Sequence, residues 1–193
     1  MTMHQWRNRA ESRQIEKTIA NDPAQGDFQA ILLVVKRRKK LDWEEAIALS
    51  TMVYGWMPTM IRQTVVHDPA QRDRLVSIVR KAKSRNYLTQ EEVEDVRHLT
   101  NRSIVGASKL LHILNPEAYA IWDSRVANVF LWQGVAPSTY STTARYIEYI
   151  DTIREWAKDE GVKRICRNLR GLNEEMNEAS DLRMIELVMF CRP

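Results

Sequence analysis

Apolar residues recur along this chain at the spacing of helix faces, three or four apart, rather than in alternation. From Trp43 to about Trp56 the positions Ala46, Ile47, Leu49, Val53 and Tyr54 form one stripe. Asp42 and Glu45 open it at the spacing of a capping box, an N-cap side chain with a carboxylate three residues on. Ala70 to about Lys83 turns Leu75, Ile78, Val79 and Ala82 one way and Arg72, Arg74, Arg80, Lys81 and Lys83 the other. Thr89 with Glu92 is a second capping box, for a helix running through Leu99. Ser103 is placed to cap a helix that stops at Asn115-Pro116, and Asp123 to cap a short helix from Ser124 to Trp132. Ser141 to Asp159 carries Tyr146, Ile147, Ile150, Ile153 and Trp156 at helical spacing, with Gly161 in the place of a closing glycine. Val162 to about Leu169 and Asp181 to Cys191 complete the series. Phe28 to Val35 is apolar enough for a strand, but it runs straight into Lys36 and has no partner strand, so a helix of Asp27 to Lys39 is predicted. The polar first twenty residues, with a lone Trp6, predict either a late-docking helix or an arm. The pattern predicts an all-α protein, residues 1–193 forming one domain or two interlocked helical lobes.

Composition narrows the partners. The chain has 193 residues, 44% hydrophobic and 28% charged, with only 6 Gly and 6 Pro, which disfavours a loop-rich all-β fold. A net charge of +4 permits a polyanion partner without demanding one. Cys166 and Cys191 are too few for a disulfide framework or zinc site, and His4, His67, His98 and His112 show no ligand spacing. Neither a metal nor a cofactor is expected. No run approaches the roughly 18–20 apolar residues of a membrane span, and the N-terminus has no apolar signal core. The expected location is the cytoplasm, the expected state a monomer.

Candidate chemistry concentrates in Ser103 to Val126. Ile104, Ala107, Leu111 and Leu114 share a helix face, and Lys109 projects from the side of that helix. A partly desolvated lysine has its pKa lowered, the state in which an amine is a nucleophile. The alternative is a lysine that snorkels at the rim or pairs with an acid. Asp123 is either a plain N-cap, worth about 1 kcal/mol, or a carboxylate held ionised in a fixed direction by the helix start.

The order helix, short turn, helix, with Ile121, Asp123 and Val126 in the pattern Ile-x-Asp-x-x-Val, resembles the helix-hairpin-helix DNA glycosylases. Compact archaeal-type 8-oxoguanine glycosylases are the nearest in form, and residues 185–190 resemble their closing helix. The resemblance implies DNA repair by base excision, with Asp123 stabilising a cationic sugar and Lys109 as candidate nucleophile on C1′. In the register that aligns Asp123, the family's lysine falls on Val105, one turn before Lys109. The hairpin holds one glycine, Gly106, where the family has two. If Lys109 is unrelated to the family's lysine, the chain is a water-using glycosylase or a binding-only relative.

Basic clusters fit phosphate contacts in either case, or are simply solvated faces. They are Lys36, Arg37, Arg38, Lys39 and Lys40; Lys81, Lys83 and Arg85; and Lys163, Arg164, Arg167 and Arg170. Arg102, Arg125 and the amides near Gly106 are further candidates for DNA contact. Trp56 and Trp122, with Tyr54 and Trp132, offer flat surfaces for an extruded base, or else belong to the core. Lys109 and Asp123 are expected to face one open, basic-rimmed cleft. The rival to an enzyme is a non-catalytic helical module that binds nucleic acid or protein.

Overall fold

Two helices, apolar nearly all round, set the packing in this computed structural model, which describes residues 1–21, 25–38, 40–55, 66–84, 87–131 and 136–191. Among these residues the helices are α1 (Met3–Ala10), α2 (Arg13–Ala20), α3 (Gln25–Arg37), α4 (Trp43–Tyr54), α5 (Pro69–Lys83), α6 (Gln90–Arg97), α7 (Ile104–Leu114), α8 (Ser124–Phe130), α9 (Pro137–Tyr140), α10 (Thr143–Trp156), α11 (Glu160–Arg170) and α12 (Asp181–Phe190). A 3-10 turn occupies Glu174–Met176, and the described residues contain no strand. The protein is all-α. No helix of the described residues is long and apolar enough to cross a membrane.

The organising helices are α7 and α12. Ile104, Ala107, Leu110, Leu111, Ile113 and Leu114 of α7 are buried, and so is α12 from Leu182 to Met189. A helix apolar on every side must be surrounded. α7 lies against α3, α4, α5, α6 and α10; α12 lies against α1, α2, α8, α10 and α11. α10 therefore touches both. Each fully buried Leu or Ile contributes about 1.5–3 kcal/mol, and the buried apolar side chains run together as one core.

Both capping boxes form. Asp42 Oδ1 accepts from the Glu45 amide at 3.1 Å while Glu45 Oε2 accepts from the Asp42 amide at 3.3 Å, and Thr89 with Glu92 repeats the arrangement. The first twenty residues are not an arm. Trp6 is completely buried and its indole Nε1 donates to the Ile185 carbonyl at 3.0 Å, so α1 is fastened to α12. Ile15 and Ile19 bury α2 beside it.

Gly161 is a correction. α10 ends at Trp156 with Ala157 as a right-handed cap, and Gly161 lies in the first turn of α11. The cause is Asp159: its Oδ1 accepts from the Val162 amide at 2.9 Å and also pairs with Arg7. This carboxylate starts a new helix before any left-handed turn is needed.

Candidate functional site

The stretch after α7 returns along the helix it has just left. Asn115 ends α7, its side-chain amide donating to the Ala82 carbonyl at 3.0 Å. Residues 116–123 then run back and are fastened at two levels, by side chains one turn apart on α7. His112 Nδ1 lies 2.6 Å from the Tyr119 carbonyl. Ser108 Oγ accepts from the Trp122 amide at 3.0 Å and is 3.2 Å from the Trp122 carbonyl, to which it can donate. A carbonyl only accepts, so His112 carries its proton on Nδ1. Burial holds its pKa down to about 3, helped by Arg183 and opposed by the Tyr119 hydrogen bond, and the ring is neutral.

That fastening brings the two candidate residues together, since Lys109 follows Ser108 and Asp123 follows Trp122. Asp123 caps α8: its Oδ1 accepts from the amides of Arg125 at 2.9 Å and Val126 at 3.0 Å. Both cap bonds fall on one oxygen, leaving Oδ2 outside the cap. Lys109 is half-buried. Burial pulls its pKa below the ordinary lysine value; Asp123, then Glu186, push it back up, and Arg183 pushes it down. Lys109 and Asp123 thus share one electrostatic environment.

The hairpin between α6 and α7 carries the phosphate candidates Arg102 and Gly106. Asn101 and Arg102 have φ of 53° and 56°, consecutive non-glycine residues in the left-handed region. Such a conformation costs about 1–3 kcal/mol per residue and persists only where its surroundings enforce it. Arg97 enforces it here. Its Nε and Nη2 donate to the Arg102 carbonyl at 2.9 and 2.7 Å, and its Nη1 to Glu94 at 2.9 and 2.8 Å. The Arg102 side chain is left exposed at the tip.

Gly106 does something other than expected. It is buried, and its amide already donates to Ser103 Oγ at 3.2 Å. Its smallness is what matters: a Cβ there would lie 2.9 Å from Thr100 Cβ and 3.1 Å from the Tyr54 hydroxyl. Glycine lets the hairpin and α4 close on α7.

Trp122 is also a correction. It is completely buried, its ring 4.8 Å from that of Tyr149 and 5.9 Å from that of Phe130, and its Nε1 donates to the Tyr140 carbonyl at 2.9 Å. A base cannot stack on a ring enclosed in this way. Tyr54 is likewise buried. Trp56, Trp132, Lys39 and Arg85 lie outside the described residues.

The basic runs are more committed than their sequence suggests. Lys36 pairs with Glu178 at 3.2 Å, Arg38 with Glu45 at 3.2 Å and Lys40 with Asp42 at 3.8 Å. On α5, Arg74 pairs with Glu91 and Asp95, Lys81 with Glu92, and Arg80 donates to the Leu41 carbonyl. On α11, Lys163 pairs with Glu160, and Arg170 with Asp181. Arg37 and Arg125 are exposed, the latter with its guanidinium 4.7 Å from the Phe190 ring. Two surface pockets lie away from the Lys109–Asp123 pair. One of about 360 Å³ is lined by Lys40, Leu41, Arg80, Lys83 and Ser84, the other of about 250 Å³ by Tyr87, Asn115, Glu117 and Ala118.

Four residues beside the pair escaped the sequence reading as site residues: Ser108, Tyr149, Arg183 and Glu186. The readable signal was Arg183-Met-Ile-Glu186, two charges in an otherwise apolar helix. No family model matches the chain, and no curated protein or solved structure matches it.

Proposed function

We propose that this protein is a DNA-binding base-excision enzyme that cleaves the N-glycosidic bond of a modified base, with a helix-hairpin-helix glycosylase-like architecture. The observation that carries the reading is the placement of Lys109 beside Asp123 by the Ser108–Trp122 fastening, with Asp123 Oδ2 outside its own cap. The target nucleotide is drawn out of the stack. As the base leaves with the bonding electrons, positive charge develops on the sugar, and the Asp123 carboxylate stabilises it. Either Asp123 takes a proton from an attacking water, or the Lys109 amine bonds to C1′ and yields a Schiff base after ring opening. Arg102 at the hairpin tip and Arg37 on α3 supply phosphate contacts.

The test is base release and strand nicking on oligonucleotides carrying modified bases. Asp123→Asn abolishes base release while the protein stays folded. Lys109→Gln abolishes strand cleavage and borohydride trapping in a lyase, and leaves base release intact in a water-using enzyme. Wild-type activity in Asp123→Asn overturns the assignment. The second reading, a binding module in which Asp123 is only a cap, is favoured by the two cap bonds. Salt-sensitive DNA binding without cleavage of any substrate in the panel supports that module.

A further inference from the structure

The basic side chains of α5 divide between two neighbours. Arg74 and Lys81 are engaged by the acids of α6, Glu91, Asp95 and Glu92. Arg80 and Lys83 turn instead to the connection between α3 and α4, and what they meet there is backbone carbonyls. Arg80 Nε donates to the Leu41 carbonyl at 2.7 Å. Lys83 Nζ donates to the Val35 carbonyl at 3.0 Å and to the Arg38 carbonyl. Neither side chain pairs with a carboxylate among the described residues. A carbonyl uses an N–H and leaves the charge uncompensated. Lys83 keeps one of the three donors of an ammonium, and Arg80 keeps both terminal nitrogens of its guanidinium.

These two cations line one pocket with Lys40, Leu41 and Ser84. Its volume of about 360 Å³ falls in the range of ligand sites, about 300–1,000 Å³. Lys40 is exposed and stands 3.8 Å from Asp42, beyond hydrogen-bond length, and an exposed pair of this kind holds weakly. The other carboxylate nearby, Glu45, is engaged by Arg38 at 3.2 Å. Arg38, Lys40, Arg80 and Lys83 thus face only Asp42 and Glu45, which leaves an excess of two positive charges. Part of that excess sits on half-buried Lys83, whose pKa burial lowers and Glu45 pushes back up.

We propose that this pocket is an anion site that takes a phosphate monoester through Arg80, Lys83 and Lys40. The terminal nitrogens of Arg80 form a planar fork that meets two phosphate oxygens at once. The remaining Lys83 N–H meets the anion from the wall, and Lys40 leaves Asp42 to close over its outer side. A phosphate monoester carries about −1.5 to −2 charges at neutral pH, which matches the local excess; a carboxylate supplies about half of it. The carbonyls of Val35 and Arg38 would repel an anion, but the Lys83 ammonium covers them. The site lies away from Lys109 and Asp123 and stands whether the chain is an enzyme or a binding module. The phosphate belongs either to a small ester or to the end of a nucleic-acid strand, which present the same chemistry to the pocket.

The experiment reads no base release, so its outcome is separate from that of the base-excision assay. Inorganic phosphate is titrated into the full chain by calorimetry at constant ionic strength, with the melting temperature followed alongside. Saturable binding of one phosphate is expected, with a melting temperature that rises with phosphate and not with chloride at the same ionic strength. Lys40→Ala, at an exposed position, stays folded and weakens binding severalfold. Arg80→Lys keeps the charge, loses the fork and weakens binding about tenfold. Lys17→Ala removes one positive charge from α2 and leaves binding unchanged. Tighter binding of a 5′-phosphorylated oligonucleotide than of its 5′-hydroxyl form, with inorganic phosphate competing, assigns the ligand to a strand end. Equal binding of the two strands, with a 5′-mononucleotide binding in their place, assigns it to a small ester. Phosphate that acts no differently from chloride overturns the proposal, and so does a phosphate affinity that Lys40→Ala and Arg80→Lys leave at the wild-type value. If Arg80→Lys does not fold, Lys40→Ala decides alone.

Discussion

Ser108 Oγ accepts from the amide of Trp122, a residue 14 positions away, at 3.0 Å, and its single proton lies between the carbonyls of Val105 at 2.9 Å and Trp122 at 3.2 Å. The hydroxyl stands one residue before Lys109, and the backbone it holds one residue before Asp123. A small polar side chain on a buried helix thereby sets the spacing of the two candidate groups. Ser108→Ala leaves the buried Trp122 N–H without this acceptor, at about 1–3 kcal/mol for an unsatisfied buried group. The expected outcome is a folded protein with a lower denaturation midpoint in urea. Lys109 also loses part of its coupling to Asp123. A midpoint unchanged from wild type shows that the return segment is held by other contacts.

Asp123 tests the separation of cap from chemistry. Asn caps a helix about as well as Asp, whereas Ala forfeits about 1 kcal/mol. Asp123→Asn should melt close to wild type and Asp123→Ala measurably below it. Equal melting of the two variants removes the structural role that Oδ1 holds.

Gly106→Ala opposes two effects. Ala in a helix interior gains about 1 kcal/mol over Gly. Its Cβ, however, would lie 2.9 Å from Thr100 Cβ and 3.1 Å from the Tyr54 hydroxyl. Overpacking of this kind costs about 1–3 kcal/mol, and the core around α7 has little room to yield. Net destabilisation of about 1 kcal/mol is expected in chemical denaturation; a stabilised variant means that the hairpin and α4 move apart freely.

What was legible in the sequence follows from where the information is local. Caps are local: Asp42, Thr89, Ser103 and Asp123 each announce a helix within three residues, and each caps one. Burial of α7 is largely local as well, because most of its residues are apolar. Partnership across the chain is not. Nothing near Trp122 says that its ring is enclosed by Tyr149 and Phe130, and an aromatic beside an acid reads equally as a surface or as core. The basic runs mislead for the same reason, since the acids that engage Arg74 stand on α6, well along the chain. Gly161 failed locally: a glycine after a helix reads as a stop until Asp159 is seen capping the next one.

Arg102→Gly sets stability against binding. Glycine adopts a positive φ without the penalty that a side chain brings, about 1–2 kcal/mol for an ordinary L-residue. The substitution should raise the melting temperature while removing an exposed cation from the hairpin tip. If that cation meets a phosphate, affinity for DNA falls and the slope of log affinity against log salt shrinks by about one. Unchanged affinity and slope remove Arg102 from the interface.

Two buried groups give stability opposite pH dependences. His112 has a folded pKa near 3 against an ordinary 6.5. Below pH 6.5 the unfolded chain takes up a proton that the folded ring refuses, so stability falls on acidification. Glu186 has a folded pKa near 7 against an ordinary 4.5. As pH drops from 7 towards 4.5 the folded carboxyl takes up a proton that the unfolded one does not, so stability rises. Between about pH 5 and 6.5, above the range of most carboxyls, the two contributions oppose each other and the wild-type melting temperature should vary little. Glu186→Gln removes the rise, and its melting temperature should drop as pH goes from 6.5 to 5. His112→Asn can keep a side-chain N–H near the Tyr119 carbonyl but cannot titrate, so its melting temperature should climb over the same interval. Thermal melts of the three proteins at half-unit steps of pH measure this directly. Parallel curves for all three would mean that neither His112 nor Glu186 changes its proton affinity on folding.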